Sequence, residues 1–556
     1  MQIGSVPRSS KRRRVKRRDL YIRLAFSIVI FVASSVYFFD TFQRFYSDSS
    51  VPNRVHDTDS TIGLAGYLGN RATRERPKGG GLGQGLKIPT SGDLDLDLDL
   101  DLDLDRDRDR DRDRDRDFKR GHDSEHSISE TVRFLESFLA KLHVWQHNNH
   151  GLNDIGIWDG YHNLVKSIVL PWDRSYLKEM KTRKRRHDGS IFLSVASYRD
   201  ENCLPTLKEA YKNSGDPHLL NVGLVQQNCM ENCKSGVLEG GKITDIEADE
   251  DCYDKFCESE WGEACRDGRV RVVKVNETES LGPYFARWVG SKLWDGEDWY
   301  MQIDSHMLFA HNWDKKSVEM LKSAPSEKPV ITTYPPPHTS ALPTKIGTRI
   351  CDPLIAGSDI ESQIVRLQAG IKYDKTHHHI PRFAPFVAAG YFVAHTTFLT
   401  DVPFDPFLPW IFMGEEISLS ARLWTSGYDI FSPPVDVISH IYVRRHKPKF
   451  WETFNRLWGG AGGGHNGIQL RVIDRIKSSL GYPETSPDMV HPKTILDYLD
   501  EYGMGNERPV ETYLDMAGID VREKFTYRQM DDWCHKGLVP PQYGERREEL
   551  QNLYGP

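Results

Sequence analysis

Short apolar runs alternate with amphipathic stretches through the middle of the chain. IFLSVASY (191–198) is a continuous apolar run of strand length, followed by the polar loop Arg199-Asp200-Glu201-Asn202 and the helical pattern LPTLKEAYKN. HLLNVGLVQQ and RVRVVKVN repeat the strand signal, and LGPYFARWVGSKLW reads as a helix. WYMQIDSHMLF, PVITTYPP and FVAAGYFVAH supply further strands. Strands alternating with helices predict an α/β sheet, with ligands beyond the carboxyl ends of the strands. WYMQIDSHMLF breaks its own pattern, because Asp304-Ser305-His306 interrupts an otherwise buried run.

The flanks follow other rules. RSSKRRRVKRR precedes an apolar stretch at 20–39, with no charge between Leu24 and Phe39 and Arg23 placed to snorkel. Basic residues on the N-terminal side predict a cytosolic tail at 1–19, a signal anchor at 20–39 and a lumenal remainder. The competing reading is a core helix behind a nuclear-localisation-like patch. A disordered stem is expected at 40–128: RERPKGGGLGQGLKIPTSG cannot build a core, and the Asp-Leu/Asp-Arg repeat at 93–117 would stack like charges if paired as a strand. A helical neck is expected at 129–187, with Val132, Phe134, Leu135, Phe138 and Leu139 on one face. A catalytic domain is expected at 188–450 and a helical, loop-rich extension at 451–556, its GGAGGGHNG run a linker or a lid.

The net charge of -7 over 556 residues makes no case for nucleic-acid binding. Cys229, Cys233, Cys252, Cys257 and Cys265 crowd one segment; in an oxidising compartment they favour disulfides over zinc, since no histidine lies among them. The strands are followed by neither a Walker-type loop nor a dinucleotide fingerprint.

Asp304 offers a hard oxygen and His306, two residues on, a nitrogen on the same face of an extended chain. Such a pair at a strand end suits a divalent cation that neutralises a departing diphosphate, manganese tolerating mixed oxygen and nitrogen donors. A polar strand end at the surface is the alternative. His440 follows a buried run and precedes Arg444-Arg445-His446-Lys447, which offers a third ligand and then cations for phosphate; His311, His395 and His446 are rivals. Glu415 and Glu416 open an amphipathic helix running to Gly427, as cap and dipole partners or as contacts to a sugar or acceptor hydroxyl. Phe407, Trp410 and Phe412 form either an acceptor wall or core.

LGPYFARWVGSKLWDGEDWYMQIDSHMLF, FVAAGYFVAHTTFLTDVPFDP and FMGEEISLSARLWTSGYD together resemble the polypeptide N-acetylglucosaminyltransferases of glycosyltransferase family 60, and more distantly the polypeptide N-acetylgalactosaminyltransferases, over roughly residues 188–450. The resemblance implies a GT-A type nucleotide-sugar-binding fold, a UDP-sugar donor, Mn2+ or another divalent cation, and retention of configuration. It implies Asp304, His306 and His440 as metal ligands, Ser197, Tyr198 and Arg199 around the nucleotide, Arg287 and Gly390 near the donor sugar, and Glu415 with Glu416 as catalytic positions. The expected activity is transfer of GlcNAc from UDP-GlcNAc to a hydroxyl of Ser/Thr or hydroxyproline in an acceptor protein, on the lumenal side of a Golgi or ER membrane. UDP-GalNAc as donor, a metal-dependent phosphodiesterase and a non-catalytic membrane-tethered binding protein remain the alternatives. No lectin-like repeat follows residue 450, unlike the galactosaminyltransferases, and a lumenal position sits poorly with the adaptor substrate of cytoplasmic relatives.

Overall fold

The computed structural model describes residues 126–554, apart from residue 150 and the segments 236–242, 356–362, 369–370, 373–378, 445–446, 459–463 and 528–531. The expected basic tail, anchor and acidic repeat lie outside the described residues. Among the described residues, no helix is long and apolar enough to cross a membrane.

The apolar runs become the centre of a mixed α/β structure. Strands β1 (Ile191–Tyr198), β2 (Leu220–Asn228), β3 (Val270–Asn276) and β4 (Trp299–Asp304) lie parallel in the order β3-β2-β1-β4. Every residue of β2 is buried, which is why its Leu220, Val222, Leu224 and Val225 do not alternate with charged positions; the amides Asn221, Gln226, Gln227 and Asn228 are buried with them. After a bend, β5 (Met307–Phe309) stands outside this sheet. β6 (Pro329–Thr332), β7 (Arg382–Phe383), β8 (Tyr391–His395) and β9 (Asp429–Ser432) extend it to eight strands, ordered β7-β9-β6-β8-β4-β1-β2-β3. β8 runs antiparallel to both β4 and β6, so the sheet is mixed. β10 (Ile438–His440) pairs antiparallel with β5, setting His440 opposite Met307.

WYMQIDSHMLF is therefore two strands, not one. The break at Ser305-His306 is held by the Thr206 hydroxyl, which donates to the Ser305 carbonyl at 2.9 Å. The expected neck is helical: Ile128–Asn149 is followed by Asp154–Leu164 and Leu170–Thr182, joined through one π turn. It packs into the body instead of standing off from it. Leu135, Phe138 and Leu139 are buried, and the Tyr161 hydroxyl donates to the Pro406 carbonyl at 2.7 Å.

Nor does the structure draw a boundary at residue 450. Helix Gly464–Leu480 buries Ile468, Val472, Ile473 and Ile476, and its Arg475 pairs with buried Asp405 at 2.8 Å. Cys351–Cys534 ties the last hundred residues back across 183 positions. Most of the glycine run lies outside the described residues; Gly464 already begins the helix. The cysteine-rich insertion is stapled by Cys203–Cys252, Cys229–Cys233 and Cys257–Cys265, and all eight cysteines are paired.

Candidate functional site

β4 is hydrogen-bonded on one side by β1 and on the other by β8, so its last residue, Asp304, has little freedom. Its amide donates to the Gly390 carbonyl at 3.2 Å. A Cβ on Gly390 would fall 2.7 Å from Asp304 Oδ2, inside contact distance, so glycine here makes room for a carboxylate.

The bend after β4 turns His306 back toward β10. Ligand atoms of Asp304, His306 and His440 all lie within 4.8 Å of one another. The two imidazoles are 4.4 Å apart by ring centroid, and His440 Nε2 is 3.2 Å from Asp304 Oδ2. His440 is buried, whereas Asp304 and His306 keep part of their surface in solvent, so the cluster has an open side.

Asp200, in the loop after β1, holds this arrangement together. Its Oδ2 lies 2.6 Å from His306 Nδ1, accepts the Ser305 hydroxyl at 2.6 Å and faces Arg444 at 3.2 Å. Burial alone would raise the Asp200 pKa, but the His306 bond and charge, with Arg444, hold it at about 2. The His306 Nδ1 contact leaves Nε2 as the nitrogen free for a ligand bond. Burial likewise opposes ionisation of Asp304. The His440 hydrogen bond and the charges of Arg287 and the two histidines nevertheless keep its carboxylate well below the usual range. An ionised carboxylate beside two imidazoles, with buried His440 Nδ1 lacking a partner among the described residues, is a donor set that fits a divalent transition metal.

A second acidic layer lies behind the first. Arg287, on helix Pro283–Ser291, donates to Asp304 Oδ1 at 2.9 Å and to Glu415 Oε2. Glu415 begins helix Glu415–Thr425 after Gly414, whose φ of 101° only glycine adopts readily. Burial pushes its pKa up to about 7 despite Arg287, and Oε1 has no partner among the described residues. Glu416 accepts the Tyr334 hydroxyl at 2.6 Å and the Ala389 amide at 3.0 Å; burial raises its pKa too.

The remaining expectations divide. Ser197 is buried, its hydroxyl without a partner among the described residues, and Tyr198 stands edge-on to Phe450 at 5.9 Å. Arg199 departs from the expected nucleotide contact: fully buried at a positive φ of 44°, it gives its guanidinium to Asp249 at 2.8 Å and the Lys234 carbonyl, fastening the cysteine-rich insertion. Lys447 pairs with that same Asp249 at 3.0 Å. Phe407 and Trp410 are core residues, at odds with an acceptor wall, while Phe412 is 46% exposed. His395 meets Thr397 and Trp299 away from the cluster, and His446 lies outside the described residues.

The sequence pattern of the glycosyltransferase (GlcNAc) family matches residues 190–523, a span that takes in β1, the metal-like cluster, both glutamates and much of the C-terminal region. The chain belongs to the glycosyltransferase (GlcNAc) family. No curated protein matches this transferase. Among solved structures it is similar to GalNAc-T7 with UDP, GalNAc and Mn2+, at 15% identity and a TM-score of 0.36, over 59% of this chain and 56% of that one. It is also similar to the S. aureus TarS fragment 1–349 in complex with UDP-GlcNAc, at 12% identity and a TM-score of 0.28, over 56% of this chain and 78% of that one. The transferase thus spans little more than half the length of GalNAc-T7.

Asp200 and Tyr334 were not anticipated as part of the site. Asp200 carried a usable signal, since it follows directly on a buried strand, and a metal-binding histidine generally needs a carboxylate or carbonyl behind its second nitrogen. Tyr334 carried none, because its partner Glu416 is 82 residues away.

Proposed function

We propose that this enzyme is a metal-dependent, retaining polypeptide N-acetylglucosaminyltransferase of GT-A type. It moves GlcNAc from UDP-GlcNAc to a hydroxyl of serine, threonine or hydroxyproline in an acceptor protein. The single observation that carries the reading is the convergence of Asp304, His306 and His440 at the carboxyl edge of a parallel sheet segment. Those three side chains would hold Mn2+ or a similar cation, whose chemistry when bound is charge neutralisation on a diphosphate leaving group. Asp200 fixes the His306 ring, and Arg287 holds the Asp304 carboxylate from behind.

Glu415 and Glu416 lie next to the Asp304 end of the site, and Arg287 links Glu415 to Asp304. Buried Glu415 Oε1, without a partner among the described residues, would accept a donor-sugar hydroxyl. Ser197 and Tyr198, at the end of β1 beside β4, are the candidates for the nucleotide. The acceptor hydroxyl attacks from the leaving-group face, which keeps the anomeric configuration. Eight paired cysteines suit an oxidising compartment, in keeping with a type II protein whose catalytic unit is lumenal in the Golgi or ER, anchored through residues 20–39.

The test is UDP release by the purified chain with Mn2+, across UDP-sugars and peptides containing serine, threonine or hydroxyproline. Turnover confined to UDP-GlcNAc with a hydroxyl-bearing peptide supports the proposal. Preference for UDP-GalNAc would revise the donor, and no turnover with any pair would leave a binding protein.

A further inference from the structure

Asn276-Glu277-Thr278 is the one Asn-x-Ser/Thr sequence in the chain, and none of the chemistry above uses it. Asn276 closes β3, the edge strand of the sheet. Strand alternation buries Val273 and Val275 and exposes Lys274 and Asn276 on the opposite face. The turn that follows is firmly seated: Glu277 and Ser280 are buried, and the Ser280 hydroxyl donates to Gln227 Oε1 at 2.6 Å.

Within that turn the asparagine is held by its oxygen alone. Asn276 Oδ1 accepts the Thr278 amide at 3.1 Å and the Thr278 hydroxyl at 2.8 Å. Its carboxamide nitrogen makes no hydrogen bond among the described residues, and the residue is exposed. A sugar on Nδ2 therefore costs no internal bond and no packing. The folded chain can carry a bulky glycan there without rearrangement.

We propose that Asn276 carries an N-linked oligosaccharide, an inference that rests on the lumenal reading given above. The co-reactant is an oligosaccharide borne on a lipid diphosphate. Asn276 Nδ2 forms a bond to the sugar C1 while the bond from C1 to the diphosphate oxygen breaks. The amide gives up one proton, and the lipid diphosphate departs with the electron pair. β3 lies three strands from β4, about 14 Å at ordinary strand spacing, so the attachment point stands beside Asp304 and not within the site.

The test uses the full chain expressed in eukaryotic cells, with peptide:N-glycosidase digestion and mass spectrometry of the peptide spanning residue 276. The expected result is a single glycan, lost in N276Q and T278A, retained in T278S, with UDP release unchanged in N276Q. Protease protection in sealed microsomes is read in parallel. A protected chain whose Asn276 peptide is unmodified overturns the glycan while leaving the topology intact. A chain open to protease from the cytosolic side overturns both.

Discussion

Asp200 Oδ2 and His306 Nδ1 sit 2.6 Å apart, joining the loop after β1 to the bend after β4. The contact fixes the ring of one candidate metal ligand and decides which of its nitrogens is left for the ion. Replacing Asp200 with Asn keeps the shape but removes the charge. Metal affinity should fall about 10- to 100-fold, with a parallel loss of turnover. Titration of Mn2+ into chelator-treated D200N, with circular dichroism to confirm folding, measures this; unchanged affinity would return Asp200 to a purely structural role.

Gly390 should tolerate no side chain. In G390A the new methyl meets the Asp304 carboxylate at 2.7 Å, and that carboxylate is already pinned by Arg287 and His440. Displacement on the scale of an ångström at a reacting centre costs about 10²-fold in rate. The expected result is a collapse of kcat with little change in Tm. A Tm loss that accounts for the activity loss would assign Gly390 to packing.

Much of this was legible in the sequence, and for a clear reason. Buried parallel strands read as short, mainly apolar runs, so β1 and β2 stood out, as did β3 by its alternation and the polar interruption at Asp304-Ser305-His306. Packing partners were not legible. Phe407 and Trp410 have the composition of an acceptor wall, and only the fold shows them buried. Arg199 beside a strand end looks like a nucleotide contact until Asp249, 50 residues on, takes its guanidinium. A boundary at 450 looked natural because loop-rich sequence follows, yet Arg475 and Cys534 reach back into the unit.

The pH dependence of stability should carry a signature of Glu415. Its pKa, near 7 when folded against an ordinary 4.5, means the native state holds a proton that the unfolded chain releases between those values. Stability from this group is therefore full below about pH 4.5 and is lost as pH rises through about 7. E415Q should flatten that part of the profile in denaturant titrations of chelator-treated protein. A slope unchanged from the parent would place the titration elsewhere.

Cys351–Cys534 closes 183 residues of chain, and long closures restrict the unfolded state most. The double variant C351S/C534S should lose about 2–5 kcal/mol. Equilibrium unfolding in urea measures it. A loss near zero would show that the packing of helix Gly464–Leu480 holds the C-terminal region without the bridge.

The most direct measurement is Mn2+ binding to the chelator-stripped enzyme by calorimetry, alongside UDP release from UDP-GlcNAc, for the parent and for D304N, H306A and H440A. One saturable ion is expected for the parent, with binding and turnover lost together in each variant while the far-ultraviolet spectrum is preserved. Turnover that survives chelation, or variants that bind the ion as the parent does, would contradict the metal-centred site.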